Sequence, residues 1–404
     1  MSGRKVFAHY MVGLADGQST MQWLSEVTTA QAAGIDGFAL NISPSDSWTR
    51  TQLHRAYTAA ESVAEFVMFL SFDMVAGAWT VQQIITLVNE FKTSPAQFCV
   101  NSLPFVSTFE GPDWSDNWCV VRNGTGGIFL VPDWSSIGPR GVGQRLAVLD
   151  GAFSWDAWPQ ANQGSMSVRE DVAYRKALKG KKYMMGVSPY FYTNLKQWNK
   201  NWYSSSESLW YDRWMQVLEI MPDFVQLITW NDYGESSYIC DTNPCHVVQG
   251  AEPYVEGFSH SAFRAVLPHL ITAYKAGNSK GSVPVAQDCA IAWYRTTPAN
   301  AGSDGGTIWG QGGTQSASRG ATDTISVMTI TNTAAVVTVG IGDSAQCFTL
   351  DRSRGPVAFL QVPFDGRTGE VSLQLNGNCV TGPSISDVCP PTGRVNFNCV
   401  SIQI

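Results

Sequence analysis

The run Phe224-Val225-Gln226-Leu227-Ile228-Thr229-Trp230-Asn231-Asp232-Tyr233-Gly234-Glu235-Ser236-Ser237 changes character halfway along. Its first half is apolar and partly β-branched, as a buried strand requires. From Trp230 it turns polar at once, with Asn231, Asp232, Tyr233, Glu235 and Ser236 close together. A strand that stops in an aromatic ring, two carboxylates and a glycine is built to deliver polar groups to a rim. The same pattern also fits a capped loop with two solvated acids. Other strands ending in the same way favour the first reading.

Seven further stretches read as strands: 6–11, 34–41, 66–73, a run within 97–110, 127–134, 145–151 and 182–190. Between most of them lie helical patterns, at 16–33, 48–64, 80–91, 165–178 and 207–221, with a last one at 257–276. Near-continuous apolar strands separated by helices are buried on both faces, which is the habit of a parallel sheet. The expected fold of residues 1–277 is therefore a (β/α)8 TIM barrel, whose active sites sit at the C-terminal strand ends. There the sequence places His9, Asn41, Asp73, Glu110, Asp133, Asp150, Asp232 and Glu235. Buried carboxylates without partners are costly, so acids at so many strand ends point to chemistry. Each acid taken singly also reads as a helix cap or a loop salt bridge.

Past residue 276 the texture changes. Residues 278–285 form a flexible joint rich in small polar residues. Residues 286–404 carry short β runs separated by turn residues, the signature of an antiparallel β-sandwich. This companion domain is expected to pack on the barrel or to bind polysaccharide. Residues 302–321 read as a Gly/Ser-rich loop, and 389–399 as a stapled tail.

Composition narrows the partners. The chain has 404 residues, 44% hydrophobic and 15% charged, with a net charge of −7. No Lys/Arg block stands out, which argues against nucleic acid and anionic membranes. No stretch of about 18 apolar residues suggests a membrane span. Trp is frequent, at 15 residues. Trp and Tyr suit carbohydrate, because the apolar face of a sugar packs on a flat ring. Core packing is the competing reading for many of them, and Trp210 with Trp214, at i and i+4, reads as helix packing.

Nine cysteines with low charge read as a secreted protein whose leader has been removed and replaced by a start Met. Cys99 with Cys119, Cys240 with Cys245, and Cys389 with Cys399 are close in sequence and are the candidate disulfides. Cys289, Cys347 and Cys379 can form one further bond and leave one thiol. Asn41-Ile42-Ser43 and Asn123-Gly124-Thr125 are glycosylation sequons, the second read as lying in a Gly-rich loop.

The five histidines, His9, His54, His246, His260 and His269, show no zinc-site spacing. No nucleophile elbow, P-loop or dinucleotide fingerprint is present. No metal and no cofactor are expected. What remains is carboxylates and aromatic rings at a barrel mouth, the equipment of a glycosidase. Asp232 and Glu235 are three residues apart, so an extended link spans roughly 10 Å. That range includes the carboxyl separation of about 5–10 Å used in glycoside hydrolysis.

Four motifs occur in order: His9-Tyr10-Met11-Val12-Gly13; Phe72-Asp73; Asp150-Gly151-Ala152-Phe153-Ser154-Trp155-Asp156-Ala157-Trp158-Pro159; and Trp230-Asn231-Asp232-Tyr233-Gly234-Glu235-Ser236. Together they resemble glycoside hydrolase family 71, the fungal α-1,3-glucanases or mutanases. The resemblance implies hydrolysis of α-1,3-glucan, endo-acting and with inversion, with Asp232 and Glu235 as the catalytic pair. Provisionally Glu235 is the acid and Asp232 the base, although sequence does not decide between them. Candidate sugar contacts are His9, Asp73, Trp134, Asp150, Trp155, Asp156, Trp158, Tyr190, Tyr192, Trp230, Asn231 and Tyr233. A secreted monomer acting on polysaccharide is expected. Two alternatives stay open: a secreted α-glucan-binding protein without activity, and a retaining α-glycanase that uses Asp150 and Asp156.

Overall fold

The computed structural model describes residues 3–404. The start-Met reading falls on residues 1 and 2, outside the described residues. Contacts divide the chain into two compact units that interleave along the sequence. One comprises 1–157, 167–187 and 220–230, the other 158–166, 188–219 and 231–404.

The first unit is a mixed α/β fold around a parallel sheet. Strand Lys5–Met11 lies between Gly37–Ile42 and Phe224–Leu227. On one side the pairing continues through Val67–Asp73 and Leu103–Phe109 to Phe129–Leu130. On the other it continues through Lys182–Val187 to Gly151–Ser154. Asp133, just past the shortest strand, makes single parallel bridges to Phe109 and to Phe153. The close approach of Gly37 to its neighbour leaves no room for a side chain, since a Cβ there would lie 1.9 Å from the Val67 carbonyl oxygen.

Side chains two apart on a strand share a face. Phe7, Phe69, Phe105 and Phe224 accordingly meet ring to ring, with centroids 4.9–6.3 Å from Phe7. Two residues further along, His9, Ser71, Ser107 and Gln226 form a buried polar layer. The helices are Thr20–Ala32, Thr49–Glu61, Val81–Phe91, Trp118–Thr125 and Arg169–Leu178, with the short Gly138–Gly143. Two of them begin with reciprocal capping, Ser19 with Gln22 and Thr80 with Gln83. Each such cap stabilises its helix by about 1 kcal/mol.

The sixth strand differs from expectation. Residues 145–149 turn, and the strand is Gly151–Ser154. The apolar run Leu146 to Leu149 is only four residues long, bounded by Gln144 and Arg145 on one side and Asp150 on the other, and it forms a turn. The second sequon also differs: Asn123 is exposed but belongs to helix Trp118–Thr125, whereas Asn41 is buried on a strand.

In the second unit, strands Cys289–Tyr294, Thr324–Ile330, Val357–Pro363 and Val400–Gln403 make one antiparallel sheet. Strands Ala335–Ile341, Ser344–Leu350, Gly369–Leu375 and Asn378–Ile385 make another. The two sheets share one apolar cluster that includes Ile325, Val327, Val337, Val339, Leu373 and Val400. A hairpin, Tyr192–Leu195 with Lys200–Tyr203, pairs onward with Ile308–Trp309. The Gly/Ser-rich loop 302–321 thus carries one short strand, Ile308–Trp309, and is anchored by side-chain and backbone bonds. Trp309 Nε1 donates to Ser205 Oγ at 2.9 Å, and Gly310 N to the Tyr203 carbonyl at 2.8 Å. Gly320 sits against the indole, where any Cβ would lie 2.1 Å from Trp309 Nε1. Trp210 and Trp214 are fully buried and meet edge to face, which is helix packing.

Candidate active site

The strand ends of the first unit carry most of the residues expected there. His9 is buried, with Nδ1 3.1 Å from Gln226 Nε2 and its ring edge-on to Trp155 at 4.9 Å. Burial pushes its pKa down to about 3, so the imidazole is neutral. Asp73 is half-buried and accepts from the Val75 and Ala76 amides, each at 2.9 Å. Its charge, after burial, helps raise the pKa of Asp46. Trp155 and Asp156 follow strand Gly151–Ser154 and are half-buried. The Trp155 ring rests on Phe109 and Phe153 as well as His9.

Asp133 was read from sequence only as one of several strand-end acids. It is completely buried, its Oδ1 accepts from the amide and hydroxyl of Ser135, and its Oδ2 has no partner. Burial, reinforced by the charge of Glu110, pushes it up to about 7. Ser135 Oγ in turn accepts from the Trp155 amide at 2.9 Å. Glu110 is held by the amide and hydroxyl of Ser136.

Asp150 departs from its expected place. It precedes strand Gly151–Ser154, at the end opposite Asp156, because the chain turns where a strand was expected. It accepts from Arg122 Nη2 at 2.6 Å and from the Leu130 amide at 2.9 Å. A four-residue strand with its flanks separates Asp150 from Asp156 by roughly 15–20 Å. Asp150 is thus ion-paired with Arg122, at the end of the strand opposite Asp156.

Several aromatic candidates are also internal. Trp134 and Trp230 have no exposed surface, and Trp230 Nε1 donates to Glu26. Tyr190 is buried and donates to the Phe397 carbonyl at 2.8 Å, and Tyr192 is buried against Tyr254 and Phe397. None of these four presents a ring face to a sugar. They were chosen for residue type, which does not distinguish a core ring from a platform. Trp158 stays half-buried, stacked edge-on to Phe191 at 4.8 Å.

In the second unit, the turn at Asn231 to Ser236 brings the two carboxylates of the opening run together. Asn231 and Tyr233 are buried, while Asp232 and Glu235 are half-buried. Asp232 Oδ1 accepts from the Glu235 amide at 3.0 Å, which locks the turn. Tyr233 Oη donates to the Asp241 carbonyl at 3.2 Å, and Tyr254 Oη to the Gly234 carbonyl at 2.7 Å. Lys200, on the hairpin, lies 2.7 Å from Glu235 Oε1. Lys200 was not singled out in the sequence, where it is one of two lysines, with Lys196, in the aromatic stretch 191–203.

The two acids therefore have unlike surroundings. Burial raises Asp232 to about 7, the charge of Glu235 adds to the rise, and Lys200 partly offsets it. Glu235 faces the ammonium directly and keeps 14% of its side-chain surface exposed. One carboxyl can hold a proton near neutrality beside another whose charge is compensated, which is the arrangement acid–base chemistry needs.

None of the three cysteine pairs read from the sequence is bonded among the described residues. Cys240 is buried 3.2 Å from the Tyr233 hydroxyl while Cys245 is exposed, and Cys399 is buried 3.4 Å from His260 Nε2 while Cys389 is exposed. Cys119 donates to the Asp116 carbonyl, and Cys99 lies exposed on its own short strand. In the second and third pairs, closeness in sequence does not bring the two thiols to the same depth. No group of three or more His, Cys, Asp or Glu able to hold a metal ion occurs among the described residues. No helix of the described residues is long and apolar enough to cross a membrane.

Comparison with known proteins adds an independent line. A glucan endo-1,3-alpha-glucosidase of Schizosaccharomyces pombe is 35% identical over 362 residues, covering 86% of this chain and 82% of that protein. A mutanase of Penicillium rubens is 36% identical over 349 residues, covering 84% and 75%. Among solved structures, the GH99 endo-alpha-mannosidase from Bacteroides thetaiotaomicron superposes with a TM-score of 0.53 at 12% identity, over 68% of this chain and 98% of that one. At that identity the likeness is one of fold. The profile of glycosyl hydrolase family 71 matches residues 2–404. This chain belongs to glycosyl hydrolase family 71, and is a glycoside hydrolase.

Proposed function

We propose that the protein hydrolyses the α-1,3-glucosidic bonds of α-1,3-glucan by single displacement, with Asp232 as general acid and Glu235 as general base. The linkage is taken from the names of the relatives. The observation that carries the mechanism is the asymmetry of the pair: Asp232 Oδ1 accepts from the Glu235 amide in a turn where burial raises Asp232, while Glu235 faces Lys200 at 2.7 Å. This reverses the provisional assignment from sequence, in which neither burial nor the lysine was visible.

Asp232 gives its proton to the glycosidic oxygen as the bond from that oxygen to the anomeric carbon breaks. Glu235 takes a proton from a water that attacks the anomeric carbon on the opposite face. The product is a reducing end of inverted configuration, and the pair returns to its starting state by proton exchange with solvent. Because the acid must be protonated, turnover declines as the pH rises through about 7. Trp158 is the half-exposed ring of the second unit proposed to stack on sugar. In the first unit, Trp155, Asp156 and Asp73 are the half-exposed strand-end groups proposed for sugar contact.

The parallel pairings and the two bridges of Asp133 support a closed (β/α)8 barrel for the first unit. The shared apolar cluster supports a β-sandwich for residues 286–404. A secreted monomer, acting within glucan chains outside the cell, fits an insoluble polymeric substrate.

The test is release of reducing sugar from insoluble α-1,3-glucan by Asp232→Asn and Glu235→Gln, with NMR of the first anomer released. Loss of turnover in both variants with retained binding is expected. Normal hydrolysis by either variant, or a wild-type protein that binds glucan without cleaving it, overturns the reading.

A further inference from the structure

We infer that Lys200 is a positioning residue of the hydrolytic pair, clamping the Glu235 carboxylate in the turn it shares with Asp232 and supplying the positive charge the two acids face. The inference rests on the reading of Asp232 and Glu235 as acid and base.

The geometry is a two-point clamp. The hairpin Tyr192–Leu195 with Lys200–Tyr203 holds Glu235 by its main chain, since the Tyr192 amide donates to the Glu235 carbonyl at 3.0 Å. It holds the side chain through Lys200 Nζ, 2.7 Å from Oε1. The hairpin is itself braced. Trp202 and Tyr203 pair in parallel with Ile308 and Trp309, and Thr307 Oγ1 donates to Asn201 Oδ1 at 2.8 Å. Asn199 takes a left-handed backbone, φ 53°, at the corner from which Lys200 departs. A lysine has four rotatable carbons and loses most of its freedom when fixed. A surface ion pair would not justify so much support.

The electrostatic consequence follows from which groups face the pair. Among them are Lys200 from the hairpin, Tyr192 from its other strand, and Tyr254 from the following segment, which bonds the Gly234 carbonyl. Tyr192 is pushed up to about 12 and Tyr254 is also raised, so both stay neutral across the working range. Lys200 is the cation against two adjacent carboxyls. An opposite charge at this range shifts a carboxyl by about 1–3 pH units. Lys200 lowers Asp232 against the rise caused by burial and by Glu235, so removing its charge lets Asp232 rise further.

The experiment measures kcat and KM against pH on soluble α-1,3-glucan oligosaccharides for Lys200→Met, Lys200→Gln and Lys200→Arg. The expected result for the two neutral variants is a kcat profile displaced upward by about one pH unit or more. On the alkaline side, where turnover follows protonated Asp232, kcat therefore persists to higher pH than in wild type, with KM within twofold of wild type. Lys200→Arg keeps the cation and is expected to hold the wild-type profile. Lys200→Gln keeps much of the stem, and serves if Lys200→Met does not fold. A neutral variant that melts like wild type and keeps its pH profile overturns the inference. A profile that Lys200→Arg fails to restore overturns it too, since the charge would then not be what matters. If Asp232→Asn and Glu235→Gln are inactive while the neutral Lys200 variants behave as wild type, the clamp alone fails. If the two acid variants hydrolyse normally, it is the underlying reading that fails.

Discussion

Two places in this molecule hold a carboxyl raised to about 7 beside a second carboxylate: Asp133 beside Glu110, and Asp232 beside Glu235. Their causes are the same, burial first and a like charge after it. Their surroundings differ. Asp133 has no exposed surface and hands its hydrogen bonds to Ser135, while Glu110 is held by Ser136. Asp232 is half-buried, and its partner faces a lysine. A perturbed carboxyl is thus not in itself a catalytic one. Reaching a substrate takes solvent access, and cycling a proton takes a neighbour whose charge is compensated.

The sharpest way to break this comparison is to neutralise one acid at each place. Asp232→Asn and Glu235→Gln are each expected to lower kcat on the order of a thousandfold or more, measured by reducing-sugar release. Asp133→Asn is expected to stay within several-fold of wild type. A collapse of turnover at Asp133 with the fold intact would erase the distinction.

The next effect is on stability. A carboxyl whose folded pKa lies above its unfolded value binds protons more tightly when folded, so folding is favoured at low pH and that advantage is lost as pH rises. For Asp133 the window runs from about 4 to about 7. Roughly 3–4 kcal/mol of stability is expected to disappear across it, and Asp133→Asn should flatten this part of the curve, as read by denaturant melts at stepped pH. A wild-type curve that rises over the same window would show that Asp133 ionises freely.

The aromatic rings sharpen the comparison in the same way. Trp155→Ala is expected to raise KM on the order of tenfold with little change in melting temperature, as loss of a stacked sugar would do. Trp134→Ala is expected to lower stability by about 3–5 kcal/mol, because it leaves a cavity. The smallest effect falls at Asp150. Its asparagine variant is expected to cost about 1 kcal/mol through the lost Arg122 pair and to leave hydrolysis unchanged. Full inactivity there would revive the alternative pairing with Asp156.

The strands were largely legible because their apolar runs are continuous and their ends abrupt. The exception is instructive. Residues 145–151 looked like a strand by composition, yet the ladder runs Gly151–Ser154, so Asp150 precedes the strand instead of ending it and pairs with Arg122. A strand start six residues later than expected moved the acid to the opposite end. The aromatic candidates were legible only as a set. Trp155 and Trp158 remained half-exposed, while Trp134, Tyr190, Tyr192 and Trp230 went inside. The sequence Trp-Asn-Asp-Tyr-Gly-Glu-Ser was sufficient to single out the two acids, because the turn that joins them is local and Asp232 bonds the Glu235 amide within it.

From residue order alone came the alternation of strands and helices, the family resemblance and the identity of the paired acids, since each of these is written in side chains a few positions apart. Folding in three dimensions decided the unlike surroundings of the two acids. These depend on desolvation and on a charge 35 residues away in the chain, and both exist only once the hairpin is set against the turn.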